Sequence, residues 1–252
     1  MRRPIIIDTD PGPDDALAIL LALGAADALD VRGITTVAGN VGVDQTTVNA
    51  LKLCALAGKP ETPVHRGCPR PLIRPLHTAE FIVGEDGLGG MALPDPVAAA
   101  RPEPAVTFLV DTLRAAPDRS VTLCALGPLT NIALALTMAP EIAGKIDAIV
   151  MMAGSRDLGN ITAAAEFNVY VDPHAAHIVF EAGIPITLFA LNATYQAVAT
   201  APRIAPFTAP GGKVSEKVVS MLRRERPGGG ARFEMSFPQP PQPAVLTERQ
   251  DE

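Results

Sequence analysis

The sequence predicts an α/β fold: an open, mostly parallel, doubly wound sheet flanked by helices. Two observations carry that expectation. Short apolar, strand-like runs alternate along the chain with segments whose apolar residues recur at helical spacing. The strand-like runs are continuously apolar rather than alternating, the pattern of a parallel sheet buried on both faces. No internal repeat is visible, and the alternation favours an open sheet over a closed barrel.

In chain order, Ile5–Ile7 reads as the first strand, and Asp14–Leu23 as a helix that follows Pro13. A strand over Val31–Val37 and a helix over Asp44–Ala57 come next, then a short strand over Pro63–His65. Residues 66 to 104 are rich in Pro, Gly and Arg and read as a long, irregular loop, a kind that is often functional. The rhythm resumes with a helix over Ala105–Ala115, a strand over Val121–Leu126 and a helix over Leu129–Met138. It closes with a strand over Ile146–Met152, a helix over Pro173–Glu181 and a strand over Ile184–Leu191. Residues 1–225 are expected to form one α/β domain. From Arg226 onward the sequence is Pro- and Gly-rich without apolar periodicity, so 226–252 is expected to be an irregular tail.

Composition narrows the function classes. The chain has 252 residues, 48% of them apolar, enough for a substantial core. A net charge of −6, with no basic run, no Trp and two Tyr, argues against a nucleic-acid surface. Three Cys (Cys54, Cys68, Cys124) are too few and too scattered for a disulfide framework or a zinc site. Cys54 and Cys124 are expected to be buried thiols, and a reducing cytoplasm is the expected setting. Arg2 and Arg3 are followed only by "PIII" before Asp8, which does not read as a signal peptide. The longest apolar stretch, Ala16–Ala26, is too short to span a bilayer, so no membrane partner is expected.

In open α/β sheets, ligands bind outside the carboxyl ends of the strands. Here those ends read "DTDPGPDD", "TTVAGN", "LGPLTN", "MMAGSRDLGN" and "LNAT", so small and oxygen-bearing residues recur where a site would assemble. The first crowds four carboxylates, Asp8, Asp10, Asp14 and Asp15, within eight positions. Helix capping accounts for Asp14 and Asp15. It leaves Asp8 and Asp10, which strand alternation puts on one side of the strand end. Converging carboxylates without a nearby Lys or Arg suit a hard divalent cation, Ca²⁺ or Mg²⁺ rather than zinc. A second polar concentration, "GNITAAAEFNVYVDPHAAHIVF", carries Asn160, Glu166 and Asn168, side chains suited to vicinal hydroxyls such as those of a sugar. Asp172 before Pro173 reads as a helix N-cap. His174 and His177 share a helix face but have no acidic partner, and read as surface residues.

Taken together, "DTDPGPDDALAI", "GITTVAGN", "TLCALGPLTNIA" and "GNITAAAEFNVYVDPHAAHIVF" resemble, in order and spacing, the inosine-uridine-preferring nucleoside hydrolase family. The resemblance covers residues 4 to about 200. It implies the nucleoside hydrolase fold and hydrolysis of the N-glycosidic bond of a ribonucleoside to ribose and free base. It implies Ca²⁺ held by the carboxylates of Asp10 and Asp15 and the Leu126 carbonyl, with Asp10 as general base and Asp8 supporting the site. It implies that Asp14, Asn40, Asn160, Glu166 and Asn168 hold ribose hydroxyls, that Met152 and Phe167 line the ribose pocket, and that the chain forms a homodimer or homotetramer. The family also carries a late His-Asp pair, a proton donor and a further metal ligand. This chain has no His after His177, its one late Asp is Asp251, and Val83 stands where a His often precedes the Gly-Glu of the 80s loop. These departures predict weak or absent turnover. They leave open a non-catalytic ribose- or nucleoside-binding protein of the same fold. A third reading is a phosphatase of the haloacid dehalogenase type, because "IIIDTDPG" resembles its D-x-D motif; "MMAGS" and "EFNVYVDP" do not supply the later Lys and acidic pair it needs.

Overall fold

The structure, a computed structural model, describes residues 2–208 and 211–222. The first half runs β1 (Arg3–Thr9), α1 (Pro13–Gly24), β2 (Leu29–Thr36), α2 (Val43–Leu56), β3 (Val64–Arg66), α3 (Glu80–Val83) and α4 (Ala105–Ala115). The second half begins with β4 (Val121–Ala125), α5 (Thr130–Met138), a 3₁₀ turn over Pro140–Lys145 and β5 (Ile146–Met152). It continues with α6 (Phe167–Val171), α7 (Pro173–Phe180), β6 (Ile186–Phe189), α8 (Leu191–Thr194), α9 (Ala201–Thr208) and α10 (Lys213–Leu222).

The strands form one sheet in the order β3-β2-β1-β4-β5-β6, and every neighbouring pair is parallel. From β1 the chain winds outward through β2 to β3, returns to place β4 beside β1, and winds outward the other way. The winding direction therefore reverses between β1 and β4, which opens a crevice at their carboxyl ends. The β1 isoleucines show why both faces are covered. Ile6 packs into a core built with Leu109 of α4, Ile132 of α5 and Val179 of α7. Ile5 and Ile7 face the opposite core, with Ile19 of α1, Leu53 of α2 and Met221 of α10. A strand buried on both faces has no polar side to show, hence its continuous apolar run.

Most expected elements are present with ends shifted by a residue or two. The strand expected over 31–37 starts earlier, at Leu29, and stops at Thr36. The one expected over 184–191 is shorter, because Ala190 already leads into the turn of α8. The long loop of 66–104 holds α3 as its one helix. The short helices α6 and α8 and the late helices α9 and α10 were not anticipated; α6 and α8 have five and four residues, too few to show a period. Cys54 and Cys68 are buried, whereas Cys124 is half-buried rather than fully enclosed. The irregular tail expected over 226–252 lies outside the described residues. No helix among the described residues is long and apolar enough to cross a membrane.

Candidate active site

The site grows out of the β1–α1 turn. α1 starts at Pro13, with Gly12 as N-cap, and Asp15 at its third position closes back on the turn. The Gly12 N–H donates to Asp15 Oδ2 at 2.9 Å, and the Thr9 hydroxyl donates to Asp15 Oδ1 at 2.9 Å. Asp15 therefore does cap the helix, as the simpler sequence reading holds. Each oxygen still has lone-pair capacity for a second partner. A methyl group added at Gly12 would lie 2.9 Å from Asn40 Nδ2, 3.3 Å from Asp14 Oδ1 and 3.4 Å from Asp15 Oδ2. Three predicted site residues thus converge on one glycine.

Asp10 follows the last residue of β1 and is buried. Its Oδ2 accepts the Asn40 N–H at 2.7 Å, and Asn40 Nδ2 donates to the Asp10 carbonyl at 3.0 Å. Side chains at Gly39 and Gly127 would collide with the Asp10 carboxylate from two sides, so the loops after β2 and β4 clamp it. Yet Asp10 Oδ1 is buried with no hydrogen-bond partner among the described residues, and so is Asn40 Oδ1. Asp8 lies beneath. Its Oδ1 accepts from the Thr35 hydroxyl and from Asn131 Nδ2, and its Oδ2 is unpartnered.

No Lys or Arg among the described residues forms an ion pair with any of these four carboxylates. Burial without compensation favours the protonated acid. Burial pushes Asp8 up to about 6, against the Thr35 and Asn131 bonds. Burial and the neighbouring Asp14 push Asp15 up to about 7. Burial, with the Asp15 charge second, raises Asp10 well above the usual carboxylate range, and burial also raises Asp14.

The second polar segment closes on β4 and β5. Asn168 Nδ2 donates to the Leu126 carbonyl at 2.8 Å and to the Met152 carbonyl at 3.0 Å, so it ties the two strand ends together. Glu166 is the N-cap of α6: Oε1 accepts the Asn168 N–H, and Oε2 accepts the Gly154 and Val169 N–H groups. Burial raises its pKa, and the Asp14 charge adds to the rise, which places the two carboxylates within electrostatic reach. Asn160 is buried with neither amide atom hydrogen-bonded, so the structure brings it into no side-chain bond with the other candidates. Phe167 is buried in a small cluster with Ala79 and Val171. The long loop is drawn in with it: the Ala79 N–H donates to the Asn40 carbonyl and the Leu72 N–H to Asp172 Oδ2. Asp172 also caps α7 through the Ala175 N–H, as expected, and His174 and His177 are exposed on that helix.

The two halves meet where the Leu126 N–H donates to the Asp8 carbonyl and where Gly127 abuts Asp10. Sequence reading missed Thr9 and Thr35, whose hydroxyls hold Asp15 and Asp8. The available signal was a threonine at each carboxyl strand end, "IDT" and "ITT". As a metal centre, the donor set is all oxygen: the orphaned Asp10 Oδ1, the Asp15 carboxylate and the Leu126 carbonyl. That chemistry fits a hard cation. Among the described residues no group of three or more His, Cys, Asp or Glu side chains is placed to hold a metal by itself.

Comparison with known proteins agrees with this geometry. The family model for inosine-uridine preferring nucleoside hydrolases matches residues 5–238. An uncharacterized protein of Schizosaccharomyces pombe is 49% identical over 223 residues, 88% of this chain and 72% of that protein. The pyrimidine-specific ribonucleoside hydrolase RihA of Citrobacter koseri is 46% identical over 222 residues, 88% of this chain and 70% of its own length. Among solved structures, a purine-preferring ribonucleoside hydrolase from Gardnerella vaginalis superposes with a TM-score of 0.82 at 35% identity, over 87% of this chain and 71% of that one. A plant nucleoside hydrolase gives a TM-score of 0.80 at 36% identity, over 88% and 70% of the two chains. With an α/β sheet wound this way, oxygen donors gathered at its switch point and these relatives, the chain belongs to the inosine-uridine preferring nucleoside hydrolase family.

Proposed function

We propose that this chain hydrolyses the N-glycosidic bond of ribonucleosides to ribose and free base in a Ca²⁺-dependent reaction. The observation that carries this is the buried Asp10 Oδ1 at the switch point, unpartnered among the described residues and set among raised-pKa carboxylates that form no ion pair with a described Lys or Arg. Asp10, Asp15 and the Leu126 carbonyl would hold the cation, which supplies Lewis acidity and the positive charge this cluster lacks. Asp10, kept ionised, accepts a proton from the attacking water as general base. Asp14, Asn40, Asn160, Glu166 and Asn168 hold ribose hydroxyls. Both amide atoms of Asn160 are without a hydrogen-bond partner among the described residues. Met152 and Phe167 border the ribose. Negative charge at Asp14 and Glu166 stabilises an oxocarbenium-like transition state.

Leaving-group protonation is the weak link. Among the described residues His65 stacks on Phe108, His77 packs edge-on to Tyr170, and His174 and His177 are exposed on α7. His77 also lies 6.4 Å from Phe167, ring centre to ring centre, and no His among the described residues is hydrogen-bonded to the carboxylate cluster. Lack of a positioned acid typically costs ~10²–10⁴-fold in rate. Turnover by this chain is therefore expected to be slow, and a ribose-binding role without turnover is the second reading. Incubation with uridine and with inosine, with Ca²⁺ or a chelator, decides the matter by chromatography of the free base alongside calorimetry of ribose binding. Slow, chelator-sensitive base release supports the hydrolase. Ribose binding without base release supports the second reading, and chelator-insensitive release removes the metal role. From its cysteine usage the chain is expected to act in a reducing cytoplasm, and from the family resemblance as a homodimer or homotetramer, a state that light scattering reads directly.

A further inference from the structure

Asn131 sits in the first turn of α5 and is fully buried. Its amide reaches the carboxyl ends of three strands at once. Nδ2 donates to Asp8 Oδ1 on β1 at 2.8 Å and to the Thr36 carbonyl on β2 at 3.0 Å. Oδ1 accepts the Cys68 N–H, just beyond β3, at 2.9 Å. Gly67 passes close beside it, and a side chain there would collide with the Thr36 carbonyl and both ends of the amide. Each anchor leads to Asp10. Thr36 enters the turn that ends at Asn40, whose N–H holds Asp10 Oδ2. The Cys68 carbonyl accepts the Ala38 N–H inside that same turn. Asp8 precedes Asp10 by two residues, and its carbonyl accepts the Leu126 N–H.

We propose that Asn131 is a positioning residue for the site: by bonding Asp8, Thr36 and Cys68 together it fixes the turn of residues 37–40 and, through the Asn40 N–H, the orientation of Asp10. It touches neither ribose nor cation. Its relevance to chemistry rests on the site reading above, whereas its geometric effect does not. The role needs a donor and an acceptor in one plane, which an amide offers and a carboxylate or an alkyl group does not. A buried polar group that loses its partner is costly enough to shift a turn.

Three variants test it. Asn131→Asp keeps the shape and the acceptor toward Cys68 but loses both donations. Gly67→Ala presses on the Thr36 carbonyl and on both ends of the amide together, and so strains the junction without changing Asn131 itself. Leu136→Ala opens a cavity in the core on the same helix, away from the strand ends. The readouts are hydrogen exchange of the Asn40 amide relative to that of Ile6, and affinity for Tb³⁺ as a Ca²⁺ probe. Asn131→Asp and Gly67→Ala are expected to speed Asn40 exchange at least tenfold and to weaken Tb³⁺ binding at least tenfold. Leu136→Ala is expected to lower the melting temperature and to change neither ratio. Unchanged Asn40 exchange in Gly67→Ala and in folded Asn131→Asp overturns the proposal. If Asn131→Asp does not fold, Asn131→Ser, smaller and still polar, takes its place beside Gly67→Ala. A wild-type chain that binds no Tb³⁺ while Asn40 exchange still responds to the variants sinks the metal reading and leaves the positioning role standing.

Discussion

Replacing Asp10 with asparagine separates the two consequences of its burial. Among the described residues, the Asp10 carboxylate has one oxygen with no partner and no counter-charge within ion-pair distance. An ionised group in that position opposes folding, which is why burial raises its pKa. Asparagine keeps the shape, can still accept the Asn40 N–H, and has no charge to desolvate. Metal-free Asp10→Asn protein is therefore expected to melt higher than wild type at pH 8. Its affinity for Ca²⁺ is expected to fall by at least tenfold, because charge count sets the strength of oxygen-ligated sites. Paired thermal melts and Tb³⁺ titrations check both halves. A variant that melts lower in chelator refutes the account of Asp10 as a site held at the expense of stability. The same conflict was legible in the sequence as four acids in eight positions. The sequence did not show which oxygens would be satisfied, because that depends on Thr9, Thr35, Asn40 and Gly12, contributed by two strands and two turns.

At the scale of elements, α6 shows where sequence reading stopped. The polar residues of its segment stood out, but a five-residue helix has no apolar period to read, and Glu166 looked only like a ribose ligand. Its carboxylate in fact gathers three N–H groups, from Gly154, Asn168 and Val169, and so fixes the helix that carries Phe167 and Asn168. Strands and long helices were legible because burial on both faces writes a continuous apolar run, as in Ile5–Ile7, and helical packing writes a period, as in α2 and α4. The capping role predicts a graded series. Glu166→Gln retains one acceptor oxygen and is expected to bind ribose more weakly with a small loss of stability. Glu166→Ala strands buried N–H groups and is expected to cost about 1–3 kcal/mol, with a larger loss of ribose affinity. Denaturant melts and calorimetry test the order. Equal stability in the two variants would mean that the cap contributes nothing.

Across the whole molecule, the carboxylate cluster ties stability to pH and to metal in a definite direction. Asp8 and Asp15 rise from 3.8 to about 6 and about 7 in the folded chain, and Asp10 rises as well. A carboxyl with a raised folded pKa keeps its proton where the unfolded chain has released it. Its stabilising contribution is complete below the unfolded value near 4 and is lost as pH climbs through the folded value. The metal-free protein is therefore expected to lose melting temperature steadily between pH 5 and pH 8, the opposite of a fold whose acids are salt-bridged. A cation at Asp10 and Asp15 competes with those protons, so Ca²⁺ should raise the melting temperature little at pH 5 and most at pH 8. Scanning calorimetry at both pH values, with chelator and with millimolar Ca²⁺, measures the difference of differences. If the metal-free protein is flat or gains stability over that range, burial does not hold the acids at the β1 switch point in their protonated form. A Ca²⁺ increment equal at both pH values would place the ion away from Asp10 and Asp15, since only binding at titrating carboxylates can make it depend on pH in this way.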